Sequence, residues 1–213
     1  MTSYQYIRDP AEIYRRSFEI IAGEVDFAAL PVALHPVARR LIHTGGMVDV
    51  LDDLVFSQGA AEAGTAALAA GAPIICDVTM VVAGITKRLL PAANAVLCAL
   101  DDTRTNVIAA NQLTTRSAAA MEVLADRFDG AIIAIGNAPT ALFRVLELVA
   151  GGAPKPAMVL GFPVGFVGAV ESKLALCGNL LDLPYIALNG RRGGSAYAAA
   201  AVNALALGEK THG

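Results

Sequence analysis

From residue 73 onward the chain repeats one pattern: a short apolar run, a polar or glycine-rich loop, then a helix. The runs cover residues 73–76, 95–100, 131–135, 157–160 and 184–188. Each is apolar at successive positions, so both of its faces must be buried. An antiparallel sheet with one wet face would alternate instead. Strands of this kind, separated by helices, predict a parallel sheet covered on both sides. Right-handed crossovers make it a three-layer α/β/α sandwich with a mostly parallel sheet of about five strands.

The first third is less regular. Asp9-Pro10-Ala11-Glu12 reads as a helix start, with Asp9 as cap and Pro10 in the first turn. Ile13, Phe18, Ile20 and Ile21 continue its apolar face. Pro36 opens a second helix that carries Val37, Leu41 and Ile42 inward and ends near His43. Residues 54–56 suit a short strand, and 58–70 a small-residue helix stopped by Gly71. Further helices are expected at 115–128, from 139 to 150, near 168–177 and from 195 to 207. No repeat or linker divides the chain, so residues 1–213 are expected to form one domain.

Parallel strands all leave the sheet at one edge, and ligands of such sheets bind beyond the carboxyl ends. Thr79, Lys87, Asn137, Arg191 and Arg192 can therefore converge from distant parts of the sequence. The loop at 189–195, Asn-Gly-Arg-Arg-Gly-Gly-Ser, is the best anion site among them. Two guanidinium forks suit carboxylate or phosphate, and Gly193, Gly194 and Ser195 open a helix whose free N–H groups favour negative charge. It is neither a P-loop nor a GxGxxG turn. Asn137 lies where it can cap a helix. Ser17 sits on the first helix beside Arg15 and Arg16, a rare polar group there.

His43 stands apart, in the segment Arg39-Arg40-Leu41-Ile42-His43-Thr44-Gly45-Gly46. A group that exchanges a proton near neutral pH lies beside fixed positive charge, and glycines follow that let backbone approach a ligand. The same residues also describe a helix end with Gly45 as its stop.

Composition narrows the function classes. Hydrophobic residues make up 55% of the chain and charged residues only 16%. No uncharged run is long enough, at ~18 residues, to span a membrane; 156–170 and 193–208 are broken by glycine or proline or belong to an amphipathic helix. The surplus of apolar surface points instead to a buried interface, and so to a homodimer. The opening MTSYQYIRDPAEIY has no signal core, and Cys76, Cys98 and Cys177 are scattered in apolar surroundings. Both features predict a cytoplasmic protein with reduced thiols. A formal net charge of −3 argues against nucleic acid. Scattered cations in an acidic chain (Arg39, Arg40, Lys87, Arg88, Arg104, Arg116, Arg191, Arg192) point to a small polyanion. His35 and His43 lack metal-pair spacing, and no G-x-S-x-G elbow is present. His212 falls in a polar tail.

Several of these segments together resemble the precorrin-8X methylmutase family: RLIHTGG at 40–46, CDVTMVVAGITKR at 76–88, AIGNAPTALF at 134–143, GFPVGFVGAVESK at 161–173 and GRRGGSAYAAAAVNAL at 190–205. The resemblance extends to the opening DPAEIYRRSFEII. It implies an isomerase that moves a methyl group from C-11 to C-12 of precorrin-8X, giving hydrogenobyrinate in cobalamin biosynthesis, without nucleotide, metal or redox cofactor. It implies His43 as the proton donor or acceptor at a ring nitrogen. The substrate and product are polycarboxylate tetrapyrroles. By this resemblance Ser17, Arg39, Arg40, Lys87, Arg116, Arg191 and Arg192 surround the carboxylates, with Thr79, Asn137, Gly193 and Ser195 in the same loops. Arg116 begins a helix rather than a strand-end loop, which makes it a candidate to reach a partner subunit's site. The alternatives are a non-catalytic tetrapyrrole-binding carrier with the same pocket and, further off, a nucleotide or sugar-phosphate transferase built on the GRRGGS loop.

Overall fold

A computed structural model describes residues 3–208; His212 lies outside the described residues. The helices are α1 (Pro10–Glu24), α2 (His35–Gly45), α3 (Ala60–Ala69), α4 (Thr79–Gly84), α5 (Thr103–Gln112), α6 (Arg116–Val123), α7 (Pro139–Ala150), α8 (Ala169–Cys177) and α9 (Ser195–Leu207). The strands are β1 (Leu54–Phe56), β2 (Ile74–Cys76), β3 (Val96–Leu97), β4 (Ile132–Ile135), β5 (Met158–Gly161) and β6 (Tyr185–Leu188). Their order across the sheet is β1-β6-β5-β4-β2-β3. All neighbours are parallel except β1, which pairs antiparallel with β6, Val55 opposite Ala187.

The expected sandwich is present, with a sixth, antiparallel edge strand beyond the five regular ones. Successive strand residues point to opposite faces, as the unbroken apolar runs require. Ile74, Cys76, Ile132, Ala134, Met158 and Leu160 pack with α2, α3, α4 and α9. Ile75, Ile133, Ile135 and Val159 pack with α6, α7 and α8 on the other side. α9 is the central helix of the first layer. Its alanines let neighbours come close: a side chain on Gly136 would stand 2.7 Å from the Ser195 Cα, and one on Gly84 2.7 Å from the Ala199 Cβ.

Three elements differ from expectation. The region expected as a strand at 95–100 pairs only at Val96–Leu97, and α5 follows it where no helix was foreseen. Only Thr105 of α5 is buried, so α5 carries no apolar period to read; Asp102 starts it by accepting the Arg104 N–H at 2.9 Å. The helix expected at 115–128 is shorter, ending at Val123 before a 3-10 turn, Ala125–Arg127.

Candidate functional site

Four carboxyl-end loops are fixed from inside the protein. Asp77 follows β2 directly and is fully buried. One carboxylate oxygen accepts the Gly136 N–H at 2.9 Å; the other accepts those of Asn137 and Ala138 at 2.9 and 2.8 Å. It thereby ties the β4–α7 loop to the end of β2 and sits at the N-terminus of α7, where negative charge is favoured. Burial nonetheless pushes its carboxyl above the ordinary value, against the pull of those three donors.

The β6–α9 loop is fixed by a second group. Lys173 on α8 is 0% exposed and donates from Nζ to the Arg192 carbonyl at 2.7 Å. Burial pushes its ammonium down to about 8, and Asp53 nearby opposes that shift. Arg192 donates to Asp49 at 2.9 Å and lies 3.4 Å from Asp53. Gly193 passes under the β5 loop so closely that a side chain would stand 2.5 Å from the Pro163 carbonyl oxygen and overlap that of Phe162. The Gly194 N–H donates to the same Phe162 carbonyl at 2.8 Å.

α2 ends beside the first turn of α9. Gly45 faces Tyr197 so tightly that a side chain there would overlap the Tyr197 hydroxyl oxygen. Between α2, the end of α4 and α9 lies a hollow of about 260 Å³, lined by Arg40, His43, Thr44, Gly84, Ala196, Ala199, Ala200 and Asn203. The α9 residues are spaced i, i+3, i+4 and i+7, one face of the helix. Three of the four are alanines, so the floor is low and apolar and can accept a flat ring. Asn203 closes the foot of the hollow: it accepts the Thr86 N–H at 2.8 Å and donates to the Gly84 carbonyl at 3.0 Å.

His43 stands on the wall. The Phe18 ring stacks on it at 5.1 Å and 21°, and Tyr14 packs at 5.6 Å and 59°. Arg40 lies over both aromatic rings, 5.5 and 5.8 Å from their centres. Among the described residues no side chain or carbonyl hydrogen-bonds either imidazole nitrogen. Burial, and then the Arg40 charge, hold the imidazole below the ordinary histidine value. The shift favours the neutral imidazole, with one N–H and one lone pair, and makes the protonated form a stronger acid.

The sequence candidates divide into groups. His43 and Arg40 share the hollow. Lys87 is exposed and emerges just past its foot, in the 3-10 turn Lys87–Leu89; exposed Thr79 opens α4, and buried Ser195 opens α9. Arg191 is exposed and lies over the Phe166 ring at 5.0 Å. Arg192 and Gly193 are engaged within the loop itself. Asn137 has an exposed side chain while its backbone is held by Asp77. Arg39 turns away to the Phe27 ring, and the Ser17 hydroxyl donates to the Ile13 carbonyl of its own helix. Arg116 lies in the opposite helical layer, donating to the Leu100 carbonyl at 2.6 Å and to Asp101 at 3.1 Å. His35 is no partner of His43: its Nε2 meets the Leu30 carbonyl at 3.1 Å.

Sequence reasoning passed over Asp77, Lys173, Tyr14, Phe18, Tyr197 and Asn203. Asp77 carried a readable mark, an acid placed immediately after a fully buried strand. Tyr14 and Phe18 carried another, an aromatic pair at i, i+4. Lys173 carried none, because its burial depends on the fold of a distant loop.

Known proteins share this architecture and sequence. A profile described as precorrin-8X methylmutase matches residues 12–207. A precorrin-8X methylmutase of Pseudomonas aeruginosa is 55% identical, over 94% of this chain and 97% of its own. One of Sinorhizobium is 50% identical, over 97% and 98%. A crystal structure of precorrin-8x methyl mutase from Thermus thermophilus superposes with a TM-score of 0.83 at 38% identity, covering 92% of this chain and 94% of that one.

Proposed function

The chain belongs to the precorrin-8X methylmutase family, and from that premise we propose that a polycarboxylate tetrapyrrole lies on the alanine face of α9 with His43 at one of its ring nitrogens. The activity is an isomerisation in cobalamin biosynthesis: a methyl group passes from C-11 to C-12 of precorrin-8X to give hydrogenobyrinate. Substrate and product have the same atoms, so the protein's task is to bind, orient and move a proton. Protonating a pyrrole-type nitrogen draws electron density out of the conjugated ring and assists migration. In its protonated form, which burial and the Arg40 charge make a stronger acid, His43 gives a proton there and is left as the neutral imidazole, and it recovers that proton once the methyl has moved.

The observation that carries this reading is His43 itself. It lines the hollow with both ring nitrogens unclaimed by the described residues. Arg40, Lys87 and Arg191 are the cations best placed to meet acid arms of the ring. Arg192, held by Asp49 and Asp53, shapes the loop that presents Arg191 and the first turn of α9.

The reading extends to a homodimer. A hollow of about 260 Å³ falls below the ~300–1,000 Å³ usual for drug-sized ligands, and a tetrapyrrole with its arms needs more wall than that. Met80, Phe166 and Val167 are 70%, 83% and 89% exposed at the carboxyl edge, apolar surface that a second copy would cover. Arg116, on the layer away from His43, then belongs to the neighbour's site. Mixing His43→Ala with Arg116→Ala chains should restore activity at one site of each mixed dimer. A monomer in sedimentation, or verified mixed dimers without activity, would reject the shared site. Three unpaired thiols suit the reducing cytoplasm as its compartment.

The direct test is incubation with precorrin-8X while the absorption spectrum is followed. Wild type should convert it; His43→Ala should bind the ring yet react ~10²–10⁴-fold more slowly in single turnover. Binding without conversion by the wild type would make the protein a tetrapyrrole carrier.

A further inference from the structure

We propose that Phe18 and Tyr14 on α1 are positioning residues for His43, holding its imidazole by ring contact so that both nitrogens remain available to the ligand. The proposal rests on the role given to His43 above. A working histidine is ordinarily aimed by a hydrogen bond from one nitrogen to a carboxylate or carbonyl. None of the described residues supplies that bond here. Two aromatic rings occupy its place instead, both within the 4.5–7 Å range of favourable ring pairs.

α1 is built for this contact. Tyr14 and Phe18 are four residues apart, hence on one face, and pack on each other at 4.6 Å. The helix contributes little else: Ile21 is its one buried residue, while Ile13 and Ile20 are 45% and 53% exposed. The Arg40 guanidinium over both rings fastens the pair to α2. The arrangement also has a chemical effect. A carboxylate partner would aim the imidazole and raise its proton affinity; a stacked ring aims it and leaves the imidazole weakly basic. A weakly basic imidazole gives up its proton readily once protonated and regains it at the end, which suits a reaction that returns every atom to the product.

Among the described residues, His43 is faced from its own helix, α1, α4 and α9. Arg40 on its own helix and Tyr14 on α1 are titratable. α9 presents Ala196, Ala199, Ala200 and Asn203, and α4 ends in Gly84 there, none of which titrates. A change in His43 titration on altering Phe18 therefore reports the ring contact.

The experiment uses the full chain with Phe18→Leu, which keeps an apolar side chain and removes the ring, and Phe18→Tyr, which restores one. In Phe18→Leu, kcat for the methyl shift should fall about 3–10-fold, the size of one aromatic pair, with KM changed less than kcat. The His43 imidazole, followed by NMR in the free protein, should titrate at higher pH as cover is lost. Phe18→Tyr should restore both. Tyr14→Leu, which leaves Phe18 in place, is read the same way and stands in if Phe18→Leu does not fold. An unchanged kcat and an unmoved His43 titration, with His43→Ala still inactive, would overturn the proposal. An active His43→Ala would instead overturn the role of His43, and the NMR titration would still report whether the rings hold it.

Discussion

Gly45→Ala is the sharpest single test of how α2 meets α9. Gly45 is the last residue of α2 and has no positive φ, so alanine can adopt its backbone. By helix propensity alone the change would stabilise the protein by ~0.5–1 kcal/mol. The fold reverses that sign. The new methyl would overlap the Tyr197 hydroxyl oxygen and stand 3.0 Å from its Cζ. Tyr197 is only 8% exposed and sits on the most buried helix of the layer, so its ring has little room to swing away. Overpacking of this kind costs ~1–3 kcal/mol, which outweighs the propensity gain and leaves a net loss of ~1–2 kcal/mol. For a chain of this size that lowers Tm by roughly 2–8 °C. Adding Tyr197→Phe removes the overlapping oxygen and leaves only the Cζ contact, which a shift of a few tenths of an ångström relieves. The double variant should recover at least half the loss, a coupling of ~1 kcal/mol. Urea unfolding with unchanged m-values measures both. If Gly45→Ala is as stable as wild type, or if Tyr197→Phe does nothing for it, the close approach of α2 to α9 is wrong.

Two further outcomes follow from the groups that fix the loops. Asp77→Asn puts an amide NH₂ against at least one of three backbone donors, so unfolding free energy should fall by ~1–3 kcal/mol for each donor left unpaired; a loss under ~0.5 kcal/mol would contradict the triple contact. Lys173 has its folded pKa depressed to about 8, so above that pH the unfolded chain binds more protons than the folded one, and Lys173 makes stability rise with pH from about 8 toward the ordinary lysine value. Denaturation across that window should show the rise in wild type and a flatter profile in Lys173→Met.

The sandwich was legible because its strands are buried on both faces, and such burial writes itself into five consecutive apolar runs. Residues 54–56 were readable as a strand, yet nothing local could say that β1 runs antiparallel to a strand some 130 positions later. α5 left no periodic trace because it buries almost nothing. At the site, His43 and the cations announced themselves by residue type. Their grouping did not: Arg192 turns to Asp49 and Asp53, far away in sequence, and Arg39 to Phe27 in the loop before its own helix. Lys173 works from beneath the loops, and an ordinary Lys beside an apolar segment is spelled the same way whether or not it is buried; Asp77 differs, because its place directly after a fully buried strand marks it.

α9 also sets an order on the molecule's making. It is synthesised after every element it packs against, and α2, α3, α4 and one face of the sheet all close onto it. Until residues 195–207 leave the ribosome, the apolar side of β4 and β5 has no central cover, and the hollow beside His43 has no floor. The first layer thus cannot be completed piecemeal as the chain emerges. From the making of β4 and β5 until α9 emerges, the growing chain exposes that apolar face, and the proton-bearing wall and the surface that receives the ring come together in the same late step.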